Sequence, residues 1–447
     1  MLPRAAASLG SRFATRRYGL RKRGMESAAR PTDVFRLPGY LAFWTASTVS
    51  DFGSYITGFA LPVLVVVTLK GTATDVGLVS ASRWLPYLVL GLMVGAMVDR
   101  YRRKPILVAT DVARAVLLAA IPALWLVGWL SLPALMLFVG VFGVLTLVND
   151  AADQSFVPRL VPGPALLAAN ARLDQGSTAA QTSGPLLAGV LVKLLGAPLA
   201  VLVDAASYLF SAALLTVGVR VSEPAPAGRG QTLNLRREIG EGLRWVYGHR
   251  TLAPFALSTH GWFFFNAVLG TVFIPFALVG LRLNPLELGV ALAAQGVGGV
   301  AGALAATRLG LRWGAGRVVI GCRVVDALAC AMIAMAPATG GHLLTVAVLA
   351  LGQGVYGLAL GASNANEMGY RQAVTPDALQ SRMNTTMRSL NRAVIVVGAP
   401  IGGLIADHFG YRPALWIAAG GFLAGAALLA ATPFRHARHG ETPPGDA

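Results

Sequence analysis

The chain has 447 residues, of which 55% are hydrophobic and only 13% are charged, and its mean hydropathy is +0.62. This composition excludes a water-soluble globular protein, whose surface needs more charge, and indicates an integral membrane protein. The formal net charge of +17 is compatible with nucleic-acid binding or with cationic loops retained on one face of a membrane. The apolar content favours the second reading, and we expect no nucleic-acid partner.

The first 24 residues are rich in Arg, Ala and Ser and contain no acid, a composition typical of a mitochondrial transit peptide. The residues from Met25 onward read instead as an ordinary cytoplasmic lead-in. Two alternatives therefore remain for the upstream segment, a disordered extension or a misplaced start of translation. We expect residues 1–36 to form a disordered basic tail, and the preference for Arg over Lys, with much Ala and Gly, favours a bacterial source.

Twelve apolar runs follow this tail. A helical crossing needs about 20 mostly apolar residues, because the hydrocarbon core is about 30 Å thick and the backbone must satisfy its own hydrogen bonds there. Strand-like alternation is absent, so the predicted fold class is an all-α integral membrane protein with twelve transmembrane helices. The runs are residues 39–69, 74–98, 105–128, 131–157, 168–195, 197–219, 252–281, 285–310, 315–337, 341–369, 380–406 and 411–432.

Cations are distributed unequally between the two sets of loops. One set includes the basic tail, the turn at 95–105 and the stretch 220–250, whereas the other has only four clear cations. Because Lys and Arg are retained on the cytoplasmic side, both termini are predicted to be cytoplasmic, in a multi-pass inner (plasma) membrane protein. The four cations of the outer loops are Lys70, Lys193, Arg282 and Arg412.

The two halves of the sequence match at an offset of about 213 residues. Pro62 corresponds to Pro275, and Asp75 corresponds to Glu287. Six runs separate the copies, so both enter the membrane in the same direction, as a parallel repeat of two six-helix bundles. The predicted units are an N-terminal bundle at 37–220, a linker with an amphipathic inner-face helix at 221–250, a C-terminal bundle at 251–433 and a tail at 434–447.

The turn GAMVDRYRRKP places one acid and four cations between two apolar runs, and its residues Gly95, Asp99, Arg100, Arg103 and Lys104 resemble the loop 2–3 signature of the major facilitator superfamily. Arg102 replaces the usual second glycine. Residues 50–88 and 158–189 are similar, more narrowly, to macrolide-type efflux proteins and the enterobactin exporter. The resemblance implies a twelve-helix, proton-driven exporter of small organic molecules.

The charges of this turn can act as a conformational clasp. Asp99 can face the positive end of a neighbouring helix while Arg100, Arg103 and Lys104 hold nearby acidic groups in one transport state. Retention of positive charge inside the cell is the alternative explanation, and both can hold.

Function is expected where charge enters hydrocarbon, since an ionised side chain at the bilayer centre costs about 2.5–3.5 kcal/mol. Asp51 lies near the middle of the first run, on one face with Tyr55, and Arg83 lies at a similar depth in the second. We predict that Asp51 and Arg83 pair and that protonation of Asp51 releases Arg83, which would couple proton movement to conformation. A permanent structural ion pair is the alternative.

Polar and aromatic residues in later runs are candidates for a substrate cavity. Two arginines, Arg388 and Arg392, lie four apart on one face and could contact an anionic substrate or balance Asp51. Helix packing is the alternative role for each aromatic candidate. The full candidate set is Tyr55, Trp262, Asn266, Gln353, Arg388 and Arg392.

Small residues in the fifth run, Gly184, Pro185 and Gly189, resemble the antiporter signature of exporters in the superfamily. Two other charge pairs, Asp111 with Arg114 and Arg323 with Asp326, are three residues apart and can neutralise themselves within one helix, so we expect them to be structural.

Other function classes lack support in the sequence. No metal-ligand spacing, catalytic cluster or phosphate-binding loop occurs, and Cys322 and Cys330 read as packing residues, so we expect no cofactor, no metal and no enzyme activity. The predicted function is proton-coupled efflux of small amphiphilic molecules, such as drugs or siderophores, by a monomer. Proton-coupled uptake of a small solute and a polytopic membrane enzyme are the alternatives.

Overall fold

The computed structural model describes residues 34–98, 100–220, 235–339 and 341–438, and these residues form helices and no β-strand. A short amphipathic helix, Leu235–Gly248, is called the linker helix. The long helices are α1 (Tyr40–Val63), α2 (Ala73–Val98), α3 (Arg103–Leu126), α4 (Leu132–Leu160), α5 (Leu166–Leu195), α6 (Ala197–Gly218), α7 (Leu252–Pro275), α8 (Pro285–Trp313), α9 (Ala315–Ala334), α10 (His342–Val374), α11 (Asp377–Phe409) and α12 (Tyr411–Ala430).

Each apolar run predicted from the sequence overlaps one of these long helices. Within the described residues, nine helices are long and apolar enough to cross a membrane, which establishes a multi-pass membrane protein. Helices α2, α5 and α9 fall outside that set. Membrane crossing by these three helices, and with it the count of twelve spans, stays a prediction.

The backbone repeats an unusual feature at the ends of α1 and α7. Each helix runs into one π-helical turn, Leu64–Thr68 after α1 and Phe276–Gly280 after α7. Each turn is followed by a non-glycine residue with positive φ, Lys70 at 54° and Arg282 at 55°. Because a non-glycine residue rarely adopts this conformation, its recurrence about 212 residues later supports the internal repeat found in the sequence.

Capping residues define several of the helix ends. Asn284 caps α8, since its side chain accepts hydrogen bonds from the amides of Leu286 and Glu287, and the Glu287 carboxylate accepts one from the Asn284 amide. Gly196 and Gly410 join α5 to α6 and α11 to α12 with φ of 82° and 95°, which glycine adopts without steric cost. These ends fix the directions of successive helices.

Helices pack mainly within their own half of the chain. In the first half α1 packs on α5 and α6, α2 on α4, and α3 on α4 and α6. In the second half α7 packs on α11 and α12, α8 on α10, and α9 on α10 and α12. The two most extensive pairings between the halves are α2 with α11 and α5 with α8, and α7 also contacts α1 and α2.

The halves are in closest contact at one end, near the α1–α2 and α7–α8 connections. A Cβ added to Gly189 would lie 2.6 Å from the Pro285 carbonyl oxygen, and one added to Gly403 would lie 2.5 Å from Cα of Thr74. Only glycine permits such backbone approach. The structure is therefore closed at the end that the cation distribution predicts to be outside.

The linker helix lies against the opposite end of α11. Its Glu241 forms an ion pair with Arg382 of α11 and accepts a 2.7 Å hydrogen bond from Arg237. That hydrogen bond, ahead of the other charged contacts, lowers the pKa of Glu241 below its usual range. Val246 is buried with Met383 in the same small core. An amphipathic helix was predicted here, and its apolar face covers the second half of the protein.

Candidate functional site

The cavity that contains Asp51, called the main cavity, lies between the two halves and has a volume of about 760 Å³. Helices α1, α2 and α5 line it from one side, and α7, α8 and α10 line it from the other. Its polar residues include an acid, a base and several amides. They are Asp51, Ser54, Tyr55, Arg83, Ser177, Thr178, Gln181, Gln295 and Asn364.

Asp51 faces this cavity from α1, one helical turn before Tyr55. Its carboxylate interacts with the Ser177 hydroxyl of α5 and is close enough to Asp150 of α4 for electrostatic interaction. Arg83 also lines the cavity, but among the described residues no ion pair joins it to Asp51. The Arg83 guanidinium instead lies 5.9 Å from the centre of the Phe142 ring. The predicted pair is thus not formed in this structure.

A second carboxylate lies behind the cavity wall, and sequence reasoning missed it. Asp204 of α6 is fully buried, its Oδ1 accepts a 3.1 Å hydrogen bond from Ser207, and its Oδ2 has no hydrogen-bond partner among the residues that the structure describes. It approaches α1 closely at Gly53, where a side chain would collide with it. The signal was present, since Asp204 is a lone acid in an apolar run, as Asp51 is.

A second cavity, about 810 Å³ in volume, lies between α2 and α4 of the first half and α11 of the second. Arg388 and Arg392 line it from α11, while Tyr87 and Asp150 line it from the other side. The Tyr87 hydroxyl donates a 2.7 Å hydrogen bond to Asp150 Oδ2. Arg392 lies over two aromatic rings, 4.1 Å from the centre of Trp84 and 4.8 Å from that of Tyr87.

The two charge pairs expected to be structural are formed and buried. Arg114 bonds to Asp111 within α3, and Arg323 lies 3.6 Å from Asp326 within α9. Arg323 also donates a 2.7 Å hydrogen bond to Glu367 of α10, so it contacts two carboxylates. Spacing of three residues predicted the pairs within one helix.

Three residues predicted for the substrate cavity lie elsewhere. Trp262 is buried, donates a 2.9 Å hydrogen bond to Asp326 and stacks on Tyr356. Asn266 accepts a hydrogen bond of 2.5 Å from Tyr356, and Gln353 is 3% exposed. None of the three lines either cavity described above. Trp262 and Asn266 bond to buried polar groups of the second half, which is the packing alternative.

The structure describes only some of the residues predicted to form the clasp. Asp99 lies outside the described residues, and Arg100 is exposed. Arg103 is 4% exposed and donates a hydrogen bond of 2.9 Å to the Tyr101 carbonyl. Lys104 donates to the Thr216 and Val219 carbonyls at the end of α6, at 3.0 and 2.7 Å. Lys104 thus meets carbonyl oxygens at the C-terminal end of α6, and the clasp itself stays a prediction.

The small residues of α5 lie where helices meet. Gly184 faces the Cβ of Tyr55 on α1, Pro185 lines the main cavity, and Gly189 faces α8 of the other half. Gly95 lies within α2. The α5 residues therefore connect the cavity to the closed end of the molecule.

Comparison with known proteins identifies the family. A family model described as "Transmembrane secretion effector", a branch of the major facilitator superfamily, matches residues 30–445. The chain belongs to the major facilitator superfamily. It is thus a membrane transporter of that type, in a family whose members are transporters rather than enzymes.

Relatives within the superfamily are bacterial. The multidrug efflux pump Tap of Mycolicibacterium fortuitum is 27% identical over 387 residues, which covers 85% of this chain and 91% of Tap. The multi-drug resistance efflux pump PmrA of Streptococcus pneumoniae is 26% identical over 185 residues, covering 38% of this chain and 43% of PmrA. Both relatives are named as efflux pumps, and their names bear on the direction of transport proposed below.

Solved structures confirm the superfamily fold. The nucleoside transporter NupG, in a mutant form, superposes with a TM-score of 0.74 at 14% identity, covering 88% of this chain and 99% of NupG. A bacterial homologue of the iron transporter ferroportin, in its inward-facing state, has a TM-score of 0.68 at 15% identity over 88% of this chain and 98% of that one. At these identities the likeness concerns the fold alone.

Proposed function

We propose that this protein is a proton-coupled antiporter that exports small amphiphilic organic molecules. The observation that carries the proposal is the position of Asp51, an ionisable group of a membrane helix that lines a cavity between the two halves. An intramembrane carboxylate at such a place is a functional candidate, because burying its charge is energetically unfavourable and a structural role alone does not explain it.

Alternating access supplies the physical mechanism. The halves are closed near Gly189 and Gly403, and both cavities lie on the other side of that closure. Rocking of one half against the other would open this end and close the opposite one. Protonation of Asp51 in one state and release of the proton in the other would bias that equilibrium, as any ligand with different affinity for two states does.

Two observations favour export over uptake, the names of the relatives and the small residues of α5. Tap and PmrA are named as efflux pumps. Gly184 and Pro185, which resemble the antiporter signature, lie at the wall of the cavity, and Gly189 lies at the closed end. The cavity mixes amide and hydroxyl groups with apolar residues such as Phe59 and Leu292, a lining suited to amphiphiles such as drugs or siderophores.

The membrane arrangement proposed with this function has twelve spans and both termini in the cytoplasm. We assign the units 37–220 and 251–433 to the two bundles, and the protein to the bacterial plasma membrane as a monomer. In this orientation the cavities face the cytoplasm, from which an exporter collects its substrate.

Uptake by proton symport remains the second candidate, because a D-xylose–proton symporter shares the fold with a TM-score of 0.66. Proteoliposomes with an imposed pH gradient separate the two. The probes are ethidium, rhodamine 123 and rhodamine 110, all amphiphilic fluorescent dyes. In an antiporter, dye accumulates on the side from which protons leave. Movement of dye and protons in the same direction would replace export with uptake, and dye flux unaffected by any gradient would refute both.

A further inference from the structure

The second cavity separates opposite charges onto its two walls. Asp150 is the acid on the first-half wall, whereas Arg388 and Arg392 lie on α11 of the second half. We propose that this cavity binds amphoteric amphiphiles, with an anionic group against the two arginines and a cationic amine against Asp150. The proposal rests on the export function and names its substrate class.

Tyr87 holds both charges in place. Its hydroxyl bonds to Asp150 at 2.7 Å, and its ring lies 4.8 Å below the Arg392 guanidinium, which Trp84 contacts at 4.1 Å. An acid and a base are thus fixed on one tyrosine. A cation that lies over two rings loses mobility, while the N–H donors at the edge of its plane stay available for hydrogen bonds. The site is therefore ordered before a ligand arrives.

These charges are not joined in ion pairs. In the part of the chain that the structure describes, no ion pair includes Asp150, Arg388 or Arg392. The pairs on α3 and α9 show that this chain does neutralise charge that serves structure alone. Opposite charges that line one cavity of this size without forming an ion pair are complementary to a ligand that bears both signs.

The same arrangement explains how such a ligand could favour transport. Its amine would contact the first half and its anionic group the second, so binding would depend on the separation of the two walls. A ligand that contacts both halves has different affinities for different separations, and it therefore shifts the conformational equilibrium. A ligand with one charge would contact only one wall through charge.

Three dyes with the same ring system test the proposal. Rhodamine 110 carries amine cation and carboxylate, rhodamine 123 is its methyl ester and keeps only the cation, and fluorescein keeps only anionic groups. Binding to the full-length protein in lipid nanodiscs is measured at pH 7 by fluorescence anisotropy, with empty nanodiscs subtracted. We expect rhodamine 110 to bind about tenfold more tightly than either of the others, because each charge-assisted contact adds affinity.

Variants of the charged residues test which wall of the cavity binds which charge of the dye. Arg392→Gln and Arg388→Gln should weaken binding of rhodamine 110 while leaving rhodamine 123 unchanged. Asp150→Asn should weaken both rhodamines and leave fluorescein unchanged. Arg308→Gln, an exposed arginine at the end of α8, is the matched control and should change no affinity. Thermal unfolding of each variant checks that it is folded, and Arg388, which is exposed, provides the test if Arg392→Gln unfolds.

The proposal is overturned if wild-type protein binds rhodamine 110 and rhodamine 123 equally. It is also overturned if the arginine variants weaken both rhodamines alike, since the arginines would then serve only packing or a gate between the halves. The binding assay needs no transport, so failure of the export function appears separately, as absence of proton-driven dye flux.

Discussion

Arg323 contacts two carboxylates, Asp326 on its own helix and Glu367 on α10, with 2% of its side chain exposed. The pair Asp111 and Arg114 occupies the corresponding place in the first half, with the order of acid and base reversed. Sequence spacing predicted both pairs, because residues three apart meet on one helix face. It could not predict the bond to Glu367, which depends on how α9 packs against α10.

Glu367→Gln is expected to lower the stability of the protein by about 3 kcal/mol, because removal of one partner leaves buried charge undercompensated. Because Asp326 remains beside Arg323, the expected loss of stability is at the lower end of the usual range for buried ion pairs. Thermal unfolding in detergent measures the effect. The matched control is Asp377→Asn, an exposed acid at the start of α11. Equal unfolding temperatures for Glu367→Gln and the control would contradict this role.

Helices α2 and α11 are joined across the two halves by Asp407, which sequence reasoning did not single out. Its carboxylate accepts hydrogen bonds from the Ala73 amide at 3.0 Å, the Thr74 amide at 2.9 Å and the Thr74 hydroxyl at 2.5 Å. The free amides and partial positive charge of a helix N-terminus favour such an anion. The contact links residues 333 and 334 positions apart, which no local pattern reveals.

Loss of this contact should loosen the closed end. Asp407→Ala is expected to shift the equilibrium toward opening by about 1–2 kcal/mol, the usual worth of hydrogen bonds and helix-end charge at exposed sites. Spin labels at the exposed positions Trp129 and Leu343, one in each half, report the separation by double electron–electron resonance. The distance distribution should extend to longer values. Asp377→Ala, at the other end of α11, should leave the distance distribution unchanged. An unchanged distribution in Asp407→Ala would contradict this role of Asp407.

At the scale of the whole molecule, the sequence predicted the helices well but only some of the residues that line the cavities. Apolar runs placed the helices, because their signal is local. Asp51, Arg83, Arg388 and Arg392 were found as charges within apolar runs, and the structure places them in two cavities. The pairing of Asp51 with Arg83 and the cavity role of Trp262 depended on helix rotation and packing, and sequence periodicity does not determine either.

Coupling of protons to export through Asp51 is the central claim for the molecule, and one measurement tests it directly. Proteoliposomes that hold the pH indicator pyranine receive a gradient of amphiphilic dye without an imposed pH gradient. The wild-type protein should move protons against the direction of dye flux. Asp51→Asn should abolish this proton movement while dye exchange between equal concentrations continues. Proton movement of wild-type size in Asp51→Asn would contradict the account.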